Sequence, residues 1–363
     1  MAAVTTRSPD ARVPVTLITG YLGSGKTTLL NHLLRQPALC RSAVIINEFG
    51  AVAIDHLLVS VPAENMVLLD TGCLCCTVRG DLVQTLTDLH AKASSGTVPP
   101  FTSVIIETTG LADPVPVLQT IVADEALRQV YRLQDVVTVI DAVHGARQLD
   151  SQDESLKQAA VADALLISKA DITGRQAVNA LAARLARLNP AAEIHEVAHG
   201  AIDPAVLLRG QPHEAAAAAN VERWLREQPH AHAAIAGEHR DAGIRAFSLY
   251  REQPIRRAGL ALWLDMLSGL RGANLLRVKG VLNVEGAPCV VHAVQTVVHE
   301  PVMLDAWPTE DRRSRVVVIA RDMAREEVER TFSAFDYAPQ PQSRAIDPHV
   351  YAQFVEAMKG FRR

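Results

Sequence analysis

Two short runs of this chain hold residues whose types and spacing could do chemistry. In Gly20-Tyr21-Leu22-Gly23-Ser24-Gly25-Lys26-Thr27, two glycines with four residues between them precede a lysine and a hydroxyl side chain, the spacing of a phosphate-binding loop. Gly20, Gly23 and Gly25 let the backbone wrap until its N–H groups converge on phosphate oxygens. The helix that follows directs its positive end at the same place. Lys26 is expected to span the β- and γ-phosphates and the Thr27 hydroxyl to ligate Mg²⁺, with Ser24 and Thr28 completing the cradle. The second run, Gly72-Cys73-Leu74-Cys75-Cys76, puts three thiols within four residues. Thiolates are soft ligands suited to Zn²⁺, with Co²⁺, Ni²⁺ and Fe²⁺ as alternatives. On an extended backbone Cys73 and Cys75 share one face and Cys76 takes the other, so a tight turn is needed to gather them. No second cysteine pair exists to close a four-thiol site. The remaining coordination would come from Glu48, in Asn47-Glu48-Phe49-Gly50, or from a histidine. The plainer reading is a set of buried cysteines acting as small apolar residues, or a redox pair. Three together in a glycine-flanked loop fit that poorly.

Other residues complete the nucleotide reading. Val104-Ile105-Ile106 ends in Glu107-Thr108-Thr109-Gly110. Glu107 can hold the water shell of a magnesium ion, and Gly110 can offer its N–H to a γ-phosphate. Ser168-Lys169-Ala170-Asp171 follows an apolar run and sits where a base-reading loop belongs. The Asp171 carboxylate can accept from N1–H and the 2-amino group of guanine, and the Lys169 stem can lie over the base. Ser168 stands where asparagine is usual. His230, His232 and His239 are either a weak metal site or solvated side chains of a polar linker; His144 and His199 each follow a strand and are either edge ligands or, more simply, ordinary loop residues.

These residues need a scaffold, and the chain supplies the pattern for one. Val15–Thr19, Ala43–Ile46, Met66–Leu69, Val104–Ile106, Val136–Ile140 and Ala164–Ile167 are nearly all apolar, as in strands covered on both faces, and helical segments alternate with them. This predicts a doubly wound, mostly parallel α/β domain over 13–205, after a flexible N-terminus over 1–12. A linker over 206–243 follows. A smaller α+β domain with an antiparallel sheet spans 244–335: a strand at Ile244–Tyr250, a helix centred on Trp263, strands at Leu275–Val281, Cys289–Val298 and Arg315–Ala320, then a helix beginning near Met323. Residues 336–363 form a tail with an amphipathic stretch at Tyr351–Phe361. Over 363 residues, 48% are hydrophobic and 21% charged, an ordinary globular balance with a formal net charge of −4. That charge argues against a nucleic-acid partner. No signal peptide or membrane anchor is expected, and five unevenly spaced cysteines suit a reducing, cytoplasmic setting better than a disulfide framework.

Taken together, Gly20–Thr28, Asn47-Glu48-Phe49-Gly50, Gly72–Cys76, Glu107–Pro114, Val139-Ile140-Asp141-Ala142, Ser168–Asp171, Leu275–Gly280 and Val294-Gln295 resemble the CobW-type metallochaperone GTPases, relatives of the urease and hydrogenase nickel-insertion GTPases. The resemblance implies a phosphate-loop GTPase domain and a family C-terminal domain. It implies hydrolysis of GTP with Mg²⁺, tied to a transition metal at Cys73, Cys75 and Cys76, zinc being favoured, and delivery of that metal to a client metalloprotein. It allows self-association driven by nucleotide or metal. Glutamate is common where this chain has Ala51, and the long histidine stretch of some members is reduced to His230, His232 and His239. Two rival readings are a small-molecule kinase with structural cysteines and a metal-sensing or storage protein. The first domain lacks an arginine-bearing lid, and intact Lys26, Thr27 and Glu107 speak against pure storage.

Overall fold

The computed structural model describes residues 12–39, 41–47, 67–71, 78–206, 243–269, 274–295 and 297–338. The first unit is a sheet of seven strands: β1 (Val13–Thr19), β2 (Ser42–Asn47), β3 (Val67–Thr71), β4 (Ser103–Glu107), β5 (Tyr131–Asp141), β6 (Ala164–Ser168) and β7 (Glu193–Val197). Their order is β3-β2-β4-β1-β5-β6-β7, and every pairing is parallel. The helices are α1 (Lys26–Leu33), α2 (Val78–Ser94), α3 (Val115–Ala123), α4 (Glu125–Val130), α5 (Gly145–Ser151), α6 (Asp153–Val161) and α7 (Arg175–Leu188).

Alternation along each strand sorts the two faces. Ile18, Val44, Ile46, Ile105, Val137, Val139 and Leu166 pack under Leu29, Leu30 and Leu33 of α1. Val15, Leu17, Ile45, Ile106, Val136 and Ile140 face the other way, toward apolar side chains of α2 to α7. In α7, buried Val178, Leu181, Leu185 and Leu188 recur at helical spacing and form one apolar stripe. The doubly wound fold expected from the apolar runs is therefore present. Two elements depart from the apolar pattern. β5 starts five residues before Val136, through polar Arg132, Gln134 and Asp135, and β7 is an edge strand of sequence EIHEV.

The second unit is antiparallel, in the order β11-β10-β9-β13-β8 with β12 alongside β10. It comprises β8 (Ile244–Arg251), α8 (Arg257–Gly269), β9 (Leu275–Val284), β10 (Ala287–Val294), β11 (Val297–Val298), β12 (Val302–Met303), β13 (Ser314–Arg321) and α9 (Arg325–Thr331). Glu285 and Gly286, both at positive φ, make the two-residue turn between β9 and β10. The single strand expected over Cys289–Val298 is instead two. The chain reverses after Val294, so that Val297 pairs back onto it, with Gln295 at positive φ. One face of this sheet is closed by α8, whose Trp263 donates from Nε1 to Thr331 Oγ1 at 2.9 Å and lies against Phe332 and Phe335. Cys289 is buried in this core, where desolvation pushes its thiol up to about 11.

The other face of the second sheet continues the core of the first unit, through Ile244, Leu276, Val281, Val294, Val317 and Ile319. A buried ion pair crosses this seam. Arg277 of β9, fully inaccessible, donates to Asp163 Oδ1 and to Val161 O at the end of α6. Asp163 also accepts from Val136 N at 3.0 Å. Burial is the largest single influence and would raise this carboxyl, but Arg277, His292, Lys279 and the Val136 N–H together outweigh it and hold the pKa far below the ordinary range. Beside them His292 and His299 stack with ring centroids 4.4 Å apart. Desolvation, then Arg277 and His299, push His292 well below the usual histidine pKa, against an opposing pull from Asp163.

Candidate functional site

In a parallel sheet the carboxyl ends of the strands share one edge, and loops there converge on ligands. The phosphate-binding loop leaves β1 at this edge. Gly20 has φ of 143°, and a Cβ on it would lie 2.3 Å from Val139 O, so only glycine lets the loop pass this close to β5. Gly25 heads α1 at φ 94°, and Leu29 N donates back to its carbonyl at 2.9 Å. Lys26 is buried, and its Nζ donates to Gly20 O at 2.8 Å and Tyr21 O at 3.3 Å, so its charge lies inside the loop.

Glu107 ends β4, opposite Ile18 of β1 and Ile46 of β2. Thr27 Oγ1 donates to Glu107 Oε1 at 3.3 Å. The two residues expected at a magnesium ion thus meet across 80 positions of sequence and present oxygen donors only, the chemistry a hard cation takes. Beyond Glu107, Thr108 continues the pairing by donating from N to Ile18 O (2.9 Å) and from Oγ1 to Thr19 Oγ1 (2.8 Å). Gly110 then presses on the phosphate loop, where a Cβ would come within 2.5 Å of Leu22 N.

A cleft of about 300 Å³ opens beside α1, lined by Gly25, Thr28, Leu29, Ser168, Lys169, Asp171, Ile172 and His199 among others. This lies at the lower end of ordinary ligand clefts. Ser168 Oγ donates to Ser24 O at 2.5 Å and to Ile140 O at 3.3 Å, tying the second loop to the first. Lys169, at φ 58°, donates from Nζ to Gly23 O and to Asp141 Oδ2, both at 2.8 Å. Asp141 is 1% exposed and also accepts from Val143 N at 2.7 Å. Asp171 faces His199 Nε2 at 3.4 Å. The sequence singles out Lys169 and Asp171 but gives Asp141 no role of its own. His199, which the sequence offers as an edge ligand or an ordinary loop residue, lines the same cleft.

Glu48, Cys73, Cys75, Cys76, His230, His232 and His239 lie outside the described residues, as do Cys40 and the stretch 351–361. Their starting points are defined, however. Glu48 follows Asn47, the last residue of β2, and Gly72 and Cys73 follow Thr71, the last of β3. Those strands are paired with Asn47 opposite Thr71, so β2 and β3 end side by side at the edge that carries the phosphate loop. Among the described residues there is no group of three metal-binding side chains, and no helix is long and apolar enough to cross a membrane.

Against known families, "CobW/HypB/UreG, nucleotide-binding domain" matches residues 14–196, and "Cobalamin synthesis protein cobW C-terminal domain" matches 244–336. The chain belongs to the CobW family. Among CobW-family relatives, the zinc chaperone YjiA of Escherichia coli is 32% identical over 323 residues, covering 88% of this chain and 98% of the relative. The zinc chaperone CobW of Pseudomonas aeruginosa is 34% identical over 230 residues, 54% of this chain and 60% of the relative. The crystal structure of the Zn(II)-bound YjiA GTPase superposes with a TM-score of 0.68 at 27% identity, covering 90% of this chain and 99% of YjiA. The two-part architecture, a parallel sheet followed by an antiparallel one, is thus that of a solved CobW-family member.

Proposed function

We propose that this chain is a GTP-hydrolysing metallochaperone that carries zinc at Cys73, Cys75 and Cys76, with Glu48, and passes it to a client metalloprotein. The observation that carries the reading is the meeting of Thr27 with Glu107 beside the phosphate loop of the buried Lys26, in a chain whose cysteine run follows in sequence on β3, a strand that ends at the same sheet edge. The relatives' designations as zinc chaperones and as a GTPase support both halves of it.

In this reading Gly20, Gly23, Ser24, Gly25 and Thr28 wrap the phosphates. Lys26 exchanges its contacts with Gly20 O and Tyr21 O for phosphate oxygens, and the Gly110 N–H meets the γ-phosphate. Thr27 directly, and Glu107 through water, would hold Mg²⁺, which supplies charge neutralisation at the phosphates. Asp171 accepts from the guanine edge while Lys169, its amine fixed by Asp141, lays its stem along the base. The segment from Asn47 to Asp55 acts as a switch whose ordering brings Glu48 toward the thiols, so GTP closes the metal site and hydrolysis opens it.

Linkage then requires zinc and GTP to raise each other's affinity by the same factor. The test is zinc affinity in the presence of GDP and of a non-hydrolysable GTP analogue. The analogue should tighten zinc binding, and equal affinities would overturn the coupling. Cys75→Ser should weaken zinc binding and leave nucleotide affinity nearly intact, whereas Lys26→Ala should do the reverse.

A further inference from the structure

Behind the loop that holds Gly110 sits a side chain that no sequence motif marks. Gln158, on α6, is fully buried. Its Nε2 donates to Gly110 O at 3.2 Å and to Ala112 O at 3.0 Å, so both N–H groups of one amide are spent on a single loop. The peptide units that follow Gly110 and Ala112 are thereby pinned by the same atom. Gly110 is consequently held from two directions: its carbonyl is bound to α6, and its Cα is pressed against the backbone of Leu22. The neighbouring Lys157 reaches Asp113 Oδ2 at 3.4 Å and reinforces the grip.

The helix that carries Gln158 is itself anchored. Thr138 Oγ1 donates to Gln158 O at 2.7 Å. Asn189 Nδ2 donates to the carbonyls of Ala159, Ala160 and Ala162 at 2.9, 3.1 and 2.9 Å, and Arg277 holds Val161 O. The loop is therefore fastened to a fixed post rather than to a surface helix free to follow it.

We infer that Gln158 is a positioning residue for Gly110: without touching nucleotide, it sets the N–H that tells a triphosphate from a diphosphate. The inference rests on the reading of the chain as a GTPase and deepens it. A residue of this kind affects the γ-phosphate interaction and leaves the contacts to base, α- and β-phosphates alone.

The test compares the full-length protein with Gln158→Met, which keeps the volume and removes both donors. GDP and GTP-analogue affinities are measured by calorimetry, and hydrolysis by single turnover. GDP affinity should stay as in the unmodified protein, while analogue affinity and the hydrolysis rate each fall about tenfold, as expected for losing one to two net hydrogen bonds. Equal weakening of both nucleotides would mean a merely structural role and would overturn the inference, as would no change in either. Should Gln158→Met fail to fold, Gln158→Asn keeps the amide one methylene short, and its ratio of GDP to analogue affinity must shift the same way. If the unmodified protein neither hydrolyses GTP nor separates it from GDP, the GTPase reading itself fails. If it does both and the variant keeps its ratio, only the role of Gln158 fails.

Discussion

At the scale of single residues, the phosphate loop is built from short-range necessities, and so its residues announce themselves by spacing alone. A strand, a glycine at φ 143° and a lysine six residues later are consecutive in sequence, and each needs the next. Replacing Gly20 by alanine would drive a methyl group into Val139 O and force a left-handed φ on a side-chain-bearing residue. Gly20→Ala should lose at least about 1–3 kcal/mol in urea denaturation and also lose nucleotide binding by calorimetry. Asp141 and Gln158 are not legible in this way, for the opposite reason. Asp141 meets Lys169 at a separation of 28 residues, and Gln158 meets Gly110 at 48, so no local pattern marks either. Ser168 shows that a departure from the usual residue can keep a structural tie: its hydroxyl bridges Ser24 O and Ile140 O.

Elements are legible where burial on two faces makes a strand uniformly apolar, as in Val104–Ile106 or Ala164–Ile167. They are hidden where burial is partial. The polar start of β5 conceals five residues, and the reversal after Val294 conceals a break, because both arms of that turn are equally apolar. The stacked pair His292 and His299 on this hairpin has a consequence for stability against pH. His292 is held neutral by burial and by the nearby cations Arg277 and Lys279, with Asp163 opposing. Its folded pKa is depressed, so below about pH 6.5 the unfolded chain takes up a proton that the native state refuses. Stability should therefore fall as pH drops from 7 to 5. The penalty specific to His292 should approach about 1.4 kcal/mol per pH unit below 6. Denaturation of His292→Gln alongside the unmodified protein checks this. The variant should lose less stability across that range, and parallel curves would show that His292 is not responsible.

For the molecule as a whole, the run Leu275–Gly280 stands out in the sequence by resemblance alone, and the structure supplies its physical reason. Arg277 projects from the second sheet into a buried contact with Asp163, 114 residues away, and Lys279 reaches Ala191 O at 3.4 Å. Removing one member of such a pair strands the other. Arg277→Met should cost about 3–5 kcal/mol by leaving the Asp163 carboxylate buried and uncompensated. Adding Asp163→Asn should recover much of that loss, since an amide oxygen can still accept from Val136 N. A double-mutant cycle by chemical denaturation measures the recovery, and additive losses would contradict the pairing. The seam around this pair has a further effect. Because Leu276, Val281, Val294, Val317 and Ile319 complete the apolar core of the first sheet, the halves are joined by packing as well as by the polypeptide between them. Cleavage within 207–242 should accordingly leave a non-covalent heterodimer of the protein's own fragments, able to copurify and, when expressed as separate chains, to reassemble.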